Sequence, residues 1–143
     1  MNTKQNKSIF FCGLGEKPTT YKSLSKYFNI VSIDWNNIKI PKHKADIAIG
    51  FSFGGILACE YALKYKVKKL ILCSMTTGME TLKDIKADEI VFLIGEKEKW
   101  VTTDIKRLLK IVKNRAKIIV IPKADHKIDN NYKNVLLQEA LRK

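Results

Sequence analysis

Short apolar runs alternate with amphipathic segments along this chain. Ser8–Cys12, Ile30–Trp35, Ala45–Ser52, Lys69–Ser74, Glu89–Gly95 and Lys117–Ile121 read as strands. Between them lie helical patterns. One carries an apolar face of Tyr21, Leu24, Tyr27 and Phe28, and a second runs from about Gly54 to Tyr65. A third shows the i, i+3, i+4, i+7 stripe Ile105, Leu108, Leu109 and Val112, with Thr102 or Thr103 able to cap it. A last helix buries Val135, Leu136, Ala140 and Leu141. Continuous apolar strands between amphipathic helices predict an α/β fold, a doubly wound and mainly parallel sheet covered on both faces. Ligands of such sheets gather at the carboxyl ends of the strands. Two connections are short. The link from Trp35 to Ala45 is near the lower bound for a parallel crossover, so its helix should be absent or vestigial. Met75–Asp88 is short and polar, with room for one turn or a small helix.

No repeat, low-complexity tract or linker interrupts the pattern, and 143 residues suit one domain spanning residues 1–143. A hydrophobic content of 45% is that of a globular chain. No apolar run approaches the roughly 20 residues that span a bilayer. Met1–Lys7 is polar and lacks a signal-peptide core. The three cysteines, Cys12, Cys59 and Cys73, sit in apolar contexts with no metal-ligand spacing, so buried reduced thiols are expected. The expected location is cytoplasmic.

The net charge of +13 comes almost wholly from lysines scattered along the chain, with only Arg107, Arg115 and Arg142 as arginines. Arginine is the preferred reader of phosphates and bases, so nucleic acid is not the expected partner. Such a charge suits a solubilising surface, or attraction of an acidic partner or anionic substrate.

The most informative stretch is Gly50-Phe51-Ser52-Phe53-Gly54, between the apolar Asp46–Ile49 and the helical pattern. A serine flanked by glycines at a strand-to-helix turn is a nucleophile elbow, whose bend lifts the hydroxyl out of the sheet. Side chains at Gly50 and Gly54 would collide in so tight a turn. A helix N-cap is the plainer role for such a serine. Two further strand ends carry complementary groups: the fifth strand ends Gly95-Glu96-Lys97-Glu98, and the sixth ends Pro122-Lys123-Ala124-Asp125-His126, with one of only two histidines. A serine hydroxyl needs a base to take its proton as it attacks, and an imidazole needs a carboxylate to fix its tautomer.

With nucleophile, acid and histidine in that order, the chain resembles the α/β-hydrolase family from about Ser8 to the last helix. The resemblance implies six strands in the order 2-1-3-4-5-6, Ser52 as nucleophile and His126 as its base. In the family the acid lies three residues past the glycine ending its strand, which is Glu98 here; Glu96 and Asp125 are the alternatives. The oxyanion hole would use the N–H of Phe53 and that of Leu14, in the loop Cys12-Gly13-Leu14-Gly15, where Cys12 replaces the family's usual histidine. The family's antiparallel strands before the first parallel one, and its cap after the fourth, have no counterpart in the pattern. Asp34 matches a position that is usually structural.

The resemblance implies a capless serine esterase or thioesterase with a Ser-His-Glu triad, an acyl-enzyme intermediate and no metal or organic cofactor. Its substrate would be a small acyl ester, or an acyl group on an acidic carrier. Acyl transfer by the same residues, or a doubly wound binding domain that has lost activity, are the alternatives. His43 and His126 could each be solvated loop residues, and Trp35, Tyr61, Tyr65 and Trp100 core or pocket wall. Cys73, near a strand tip, could line the site, although a buried thiol is the simpler reading.

Overall fold

The computed structural model describes residues 7–42, 44–75, 80–99, 103, 106, 107, 109, 110 and 115–142. Its strands are β1 (Ser8–Phe11), β2 (Asn29–Val31), β3 (Ile47–Phe51), β4 (Val67–Cys73), β5 (Ala87–Gly95) and β6 (Ala116–Ile121). They form one sheet in the order 2-1-3-4-5-6, and every pairing is parallel, as the alternating pattern predicts. The chain moves outward from β1 to β2 and then returns to the other side of β1 as β3. That reversal opens a crevice between the ends of β1 and β3, where such sheets bind ligands.

Alternation along each strand divides the core in two. Ile9, Phe11, Leu70, Leu72, Ile90 and Phe92 face the helix α1 (Phe53–Lys64), meeting its buried Leu57, Ala58, Tyr61 and Ala62 at the helical i, i+3, i+4 spacing. Phe10, Ile49, Phe51, Ile71, Val91 and Leu93 face the opposite layer, made by Tyr21, Leu24 and Phe28 with Tyr132, Leu136 and Ala140 of the last helix, α2 (Asn130–Leu141). Asp129 caps α2 by accepting the Tyr132 N–H at 2.9 Å. Tyr65, in extended conformation, ends α1.

Several boundaries differ from the sequence reading. The second strand is Asn29–Val31 rather than Ile30–Trp35, because β2 pairs only with the four-residue β1, whose last partner is Phe11 opposite Val31. Asp34 therefore lies beyond the strand, where its carboxylate and carbonyl hold a turn by accepting from Asn36 and Asn37. The described residues between β2 and β3 contain no helix, as the short link predicts. The helix expected around Tyr21 is a 3-10 segment, Pro18–Leu24, kinked at Tyr21 (φ −118°, ψ 42°). In α2, Leu141 is exposed, and the unanticipated Tyr132 occupies the core. Lys99, Thr103, Lys106, Arg107, Leu109 and Lys110 are helical; Thr102, Ile105, Leu108 and Val112 lie outside the described residues, as do His43 and Trp100. Within Met75–Asp88 a 3-10 segment covers Glu80–Asp84, and residues 76–79 are not described.

Candidate active site

Strand register brings the candidate residues to one level. Phe51 pairs with Cys73, Cys73 with Leu93, and Gly95 with Ile121, so the chain leaves β3, β4, β5 and β6 along one rim. Ser52 follows β3 directly with φ 56° and ψ −121°, a conformation that a residue with a side chain adopts only under strain. A Cβ at Gly50 would run into the Gly54 carbonyl, and one at Gly54 into the carbonyls of Phe11 and Cys12. The glycines thus let α1 press against the ends of both β3 and β1. Although Ser52 occupies the N-cap position, its side chain does not cap the helix. Its Oγ lies 3.0 Å from Nε2 of His126 instead.

His126 is held by the loops after β5 and β6, which are zipped together. Glu96 and Lys97 donate to the carbonyls of Ile121 and Ala124, each at 2.9 Å. Glu96 Oε1 accepts the Lys123 N–H at 2.8 Å, and Asp125 Oδ1 accepts the N–H of His126 itself at 2.8 Å. Neither of these two alternative acids is the carboxylate hydrogen-bonded to the imidazole. That contact belongs to Glu98, whose Oε1 lies 2.5 Å from His126 Nδ1. With the ring proton on Nδ1, His126 donates to Glu98 and Nε2 is left to accept the Ser52 proton. Glu98 lies in a turn closed by its own N–H on the Gly95 carbonyl (2.9 Å), and its side chain is fully buried although its neighbours in the turn are exposed. Gly95 N–H (2.8 Å) and the Ser74 hydroxyl (2.6 Å) donate to its Oε2. Three donors replace water around the carboxylate, which is what a buried charge requires.

The loop after β1 is pinned by a residue that the sequence reading missed. Glu16 Oε1 accepts the Gly13 N–H at 2.7 Å and the Tyr21 hydroxyl at 2.6 Å, and Trp35 Nε1 donates to the Glu16 carbonyl at 3.1 Å. This does the anchoring expected of a histidine at Cys12. The Gly13 N–H is thereby engaged, while Leu14 projects into solvent, 66% exposed. Phe53 opens α1, and first-turn N–H groups have no partner within their own helix. A loop glycine, Gly13, followed three positions later by a glutamate would have been the only sequence signal for Glu16.

Cys12 and Cys73 are buried. Burial, with the charge of Glu16, pushes the Cys12 thiol up to about 12, and burial raises Cys73 further. Neither supplies a thiolate near neutral pH. A cavity of about 180 Å³ opens beside His126, with Tyr21, Leu24 and Phe51 as apolar wall and Thr20, Ser23 and Lys127 as polar rim. A larger one, about 550 Å³, is lined by Lys7, Ile47 and Lys69, and so lies at the opposite end of the strands from Ser52. No helix of the described residues is long and apolar enough to cross a membrane.

Likeness to solved structures fixes the fold. MenH from S. aureus superposes with a TM-score of 0.71 at 13% identity, over 96% of this chain and 94% of that one. This chain has the α/β-hydrolase fold. Esterase PE8 matches with a TM-score of 0.68 at 12% identity, over 93% and 91% of the two chains. XC6422 from Xanthomonas campestris, described as a serine hydrolase without a lid, matches with a TM-score of 0.67 at 13% identity, over 96% and 82%. No family model matches the chain, and no curated protein does.

Proposed function

We propose that the protein is a serine hydrolase that cleaves a carboxylic ester or thioester through Ser52, His126 and Glu98. The observation that carries this reading is the continuous relay from Ser52 Oγ to His126 Nε2 (3.0 Å) and from His126 Nδ1 to Glu98 Oε1 (2.5 Å), starting at a strained serine. Ser52 Oγ attacks the acyl carbon as its proton passes to Nε2. The N–H groups of Phe53 and Leu14 hold the oxyanion. The tetrahedral adduct collapses, the leaving alcohol or thiol takes the proton from Nε2, and the acyl group stays on Ser52. Water, deprotonated by the same nitrogen, then releases the acid and restores the hydroxyl. Glu98 keeps the imidazole in the required tautomer and stabilises the imidazolium. The fold shared with esterases and with a lidless serine hydrolase supports the assignment.

Because the leaving group must reach Nε2, the cavity of about 180 Å³ beside His126 is its seat in this reading. That is smaller than the roughly 300–1,000 Å³ of sites that enclose drug-sized ligands. It suits a compact leaving group, or the tip of a long one whose remainder stays outside. Exposed Lys17, Lys97, Lys123 and Lys127 lie on the loops around it, which favours an acyl group delivered by an acidic carrier. The test is turnover of p-nitrophenyl acetate against longer-chain esters, and of an acyl group on an acidic carrier, at low and high salt. Short esters should be hydrolysed faster than long ones, and salt should raise KM for the carrier substrate only. Turnover that survives in Ser52→Ala would reject the mechanism, and equal salt sensitivity for both substrates would reject the acidic carrier.

A further inference from the structure

Behind Glu98 lies a second tier of hydrogen bonds, which runs from the Ser74 donor back to Tyr132. Ser74, the residue after β4, is fully buried and holds φ at 48°, in the left-handed region where glycine is unstrained and serine is not. Its N–H is tied to the Leu93 carbonyl at 2.8 Å. Its Oγ lies 2.6 Å from Glu98 Oε2 and 2.7 Å from the hydroxyl of Tyr132, which is itself fully buried and 3.0 Å from the Leu93 carbonyl. A proton count sets the direction of these bonds. An ionised carboxylate only accepts, so the single Ser74 proton goes to Oε2. Ser74 must then accept from Tyr132, whose proton lies between Ser74 Oγ and the Leu93 carbonyl. Burial raises the Tyr132 hydroxyl well above its ordinary range, so it keeps its proton near neutral pH.

We propose that Ser74 and Tyr132 are positioning residues: the chain Tyr132–Ser74–Glu98 fixes the carboxylate so that Oε2 is saturated and Oε1 is aimed at His126. This rests on the reading of Ser52, His126 and Glu98 given above. The last torsion of a glutamate is broad and nearly two-fold, so rotamer preference alone does not aim either oxygen. The donors at Oε2, Ser74 Oγ–H and Gly95 N–H, do so, and only the first depends on a side chain. A position where glycine would relieve the backbone, occupied by serine whose hydroxyl completes the chain, is the pattern expected when strain is retained for use.

The test uses Ser74→Gly, which suits the left-handed backbone, and Tyr132→Phe, which removes one oxygen. Three quantities are compared with wild type: kcat and KM for a short p-nitrophenyl ester, the rate of fluorophosphonate labelling of Ser52, and the downfield proton resonance of His126 Nδ1–H. Ser74→Gly should lower kcat and the labelling rate together by about 10- to 100-fold, the equivalent of one hydrogen bond to a charged group, with KM within about twofold. Tyr132→Phe should lower kcat less, by about 3- to 10-fold. Both should shift or broaden the His126 resonance while circular dichroism and a cooperative thermal transition are retained. Wild-type kcat and an unmoved resonance in both variants would overturn the proposal. If Ser74→Gly does not fold, Tyr132→Phe decides alone. If the wild type neither turns over esters nor takes the label, the functional reading fails, and the resonance still reports whether the chain orients Glu98 toward His126.

Discussion

The two ends of the sheet each bury an ionisable side chain, and they use it differently. At the amino ends, Lys69 of β4 is 8% exposed, and its Nζ donates to the carbonyls of Glu139 (2.5 Å) and Arg142 (3.3 Å) at the close of α2. An ammonium there satisfies terminal carbonyls and complements the helix dipole. Around it Glu89, Glu139, Lys117 and Arg142 form a connected set of ion pairs. At the carboxyl ends, Glu98 is buried in a chain of hydrogen bonds that leads out through His126 to a hydroxyl at the surface. The backbone marks the same division. Among the described residues, those other than glycine with positive φ are Ser52, Ser74 and Lys123, all just past the ends of β3, β4 and β6. One end closes its polar groups against a helix terminus; the other holds strain and presents the Ser52 hydroxyl, bonded to His126, toward solvent.

Mutations at the two ends should therefore separate activity from stability. The largest effect belongs to His126→Ala, which should lower ester turnover by about 10⁴-fold or more. Glu98→Gln should follow at about 10²- to 10⁴-fold, since the base and the oxyanion donors remain. Glu96→Gln and Asp125→Asn should stay within a few-fold of wild type, because an amide oxygen can still accept the backbone N–H groups of Lys123 and His126. Steady-state kinetics on all four would break the comparison if Asp125→Asn fell as far as Glu98→Gln.

At the other end the outcome should invert. Lys69→Met should leave kcat within about twofold and cost about 2 kcal/mol of stability, through the loss of hydrogen bonds from a charged donor. Urea unfolding alongside kinetics reads both. A variant as stable as wild type would show that Lys69 does not support the end of α2.

The smallest effect sharpens the picture through pH. Desolvation pushes the Glu139 carboxyl up, but hydrogen bonds and charge from Lys117 and Arg142 outweigh it and hold the group below its ordinary range. A carboxyl depressed in the folded state adds stability above its unfolded pKa and loses it as pH falls through the folded value. Glu139→Gln should therefore be less stable than wild type at neutral pH, by under about 1 kcal/mol because its partners Lys117 and Arg142 are exposed. The gap should close below the ordinary carboxylate range. Urea midpoints over that span would contradict this if the gap stayed constant.

Much of this was legible in the sequence because it rests on local pattern. Parallel strands buried on both faces are apolar throughout, so their number followed from the runs, while their order came from the resemblance to the α/β-hydrolase family. Ser52, Glu98 and His126 sit at strand ends, which the same runs locate. What could not be read depends on partners distant in the chain. β2 ends at Val31 because its only neighbour, β1, ends at Phe11. Tyr21 leaves helical geometry in a segment where its hydroxyl is bonded to Glu16. Glu16 itself lies in a polar loop with no periodicity, and Ser74 and Tyr132 meet only when α2 packs on the sheet beside the end of β4. Leu141 shows the limit of helical spacing: it falls on the apolar stripe, yet it lies in the last turn of α2, where there is little left to cover it.

The most direct measurement is the reaction of the protein with a fluorophosphonate, followed by mass spectrometry of its peptides. The prediction is one adduct, on Ser52, absent in Ser52→Ala and formed far more slowly in His126→Ala. No adduct on the folded wild-type protein, or an adduct that persists when Ser52 is alanine, would contradict a nucleophilic serine at this elbow.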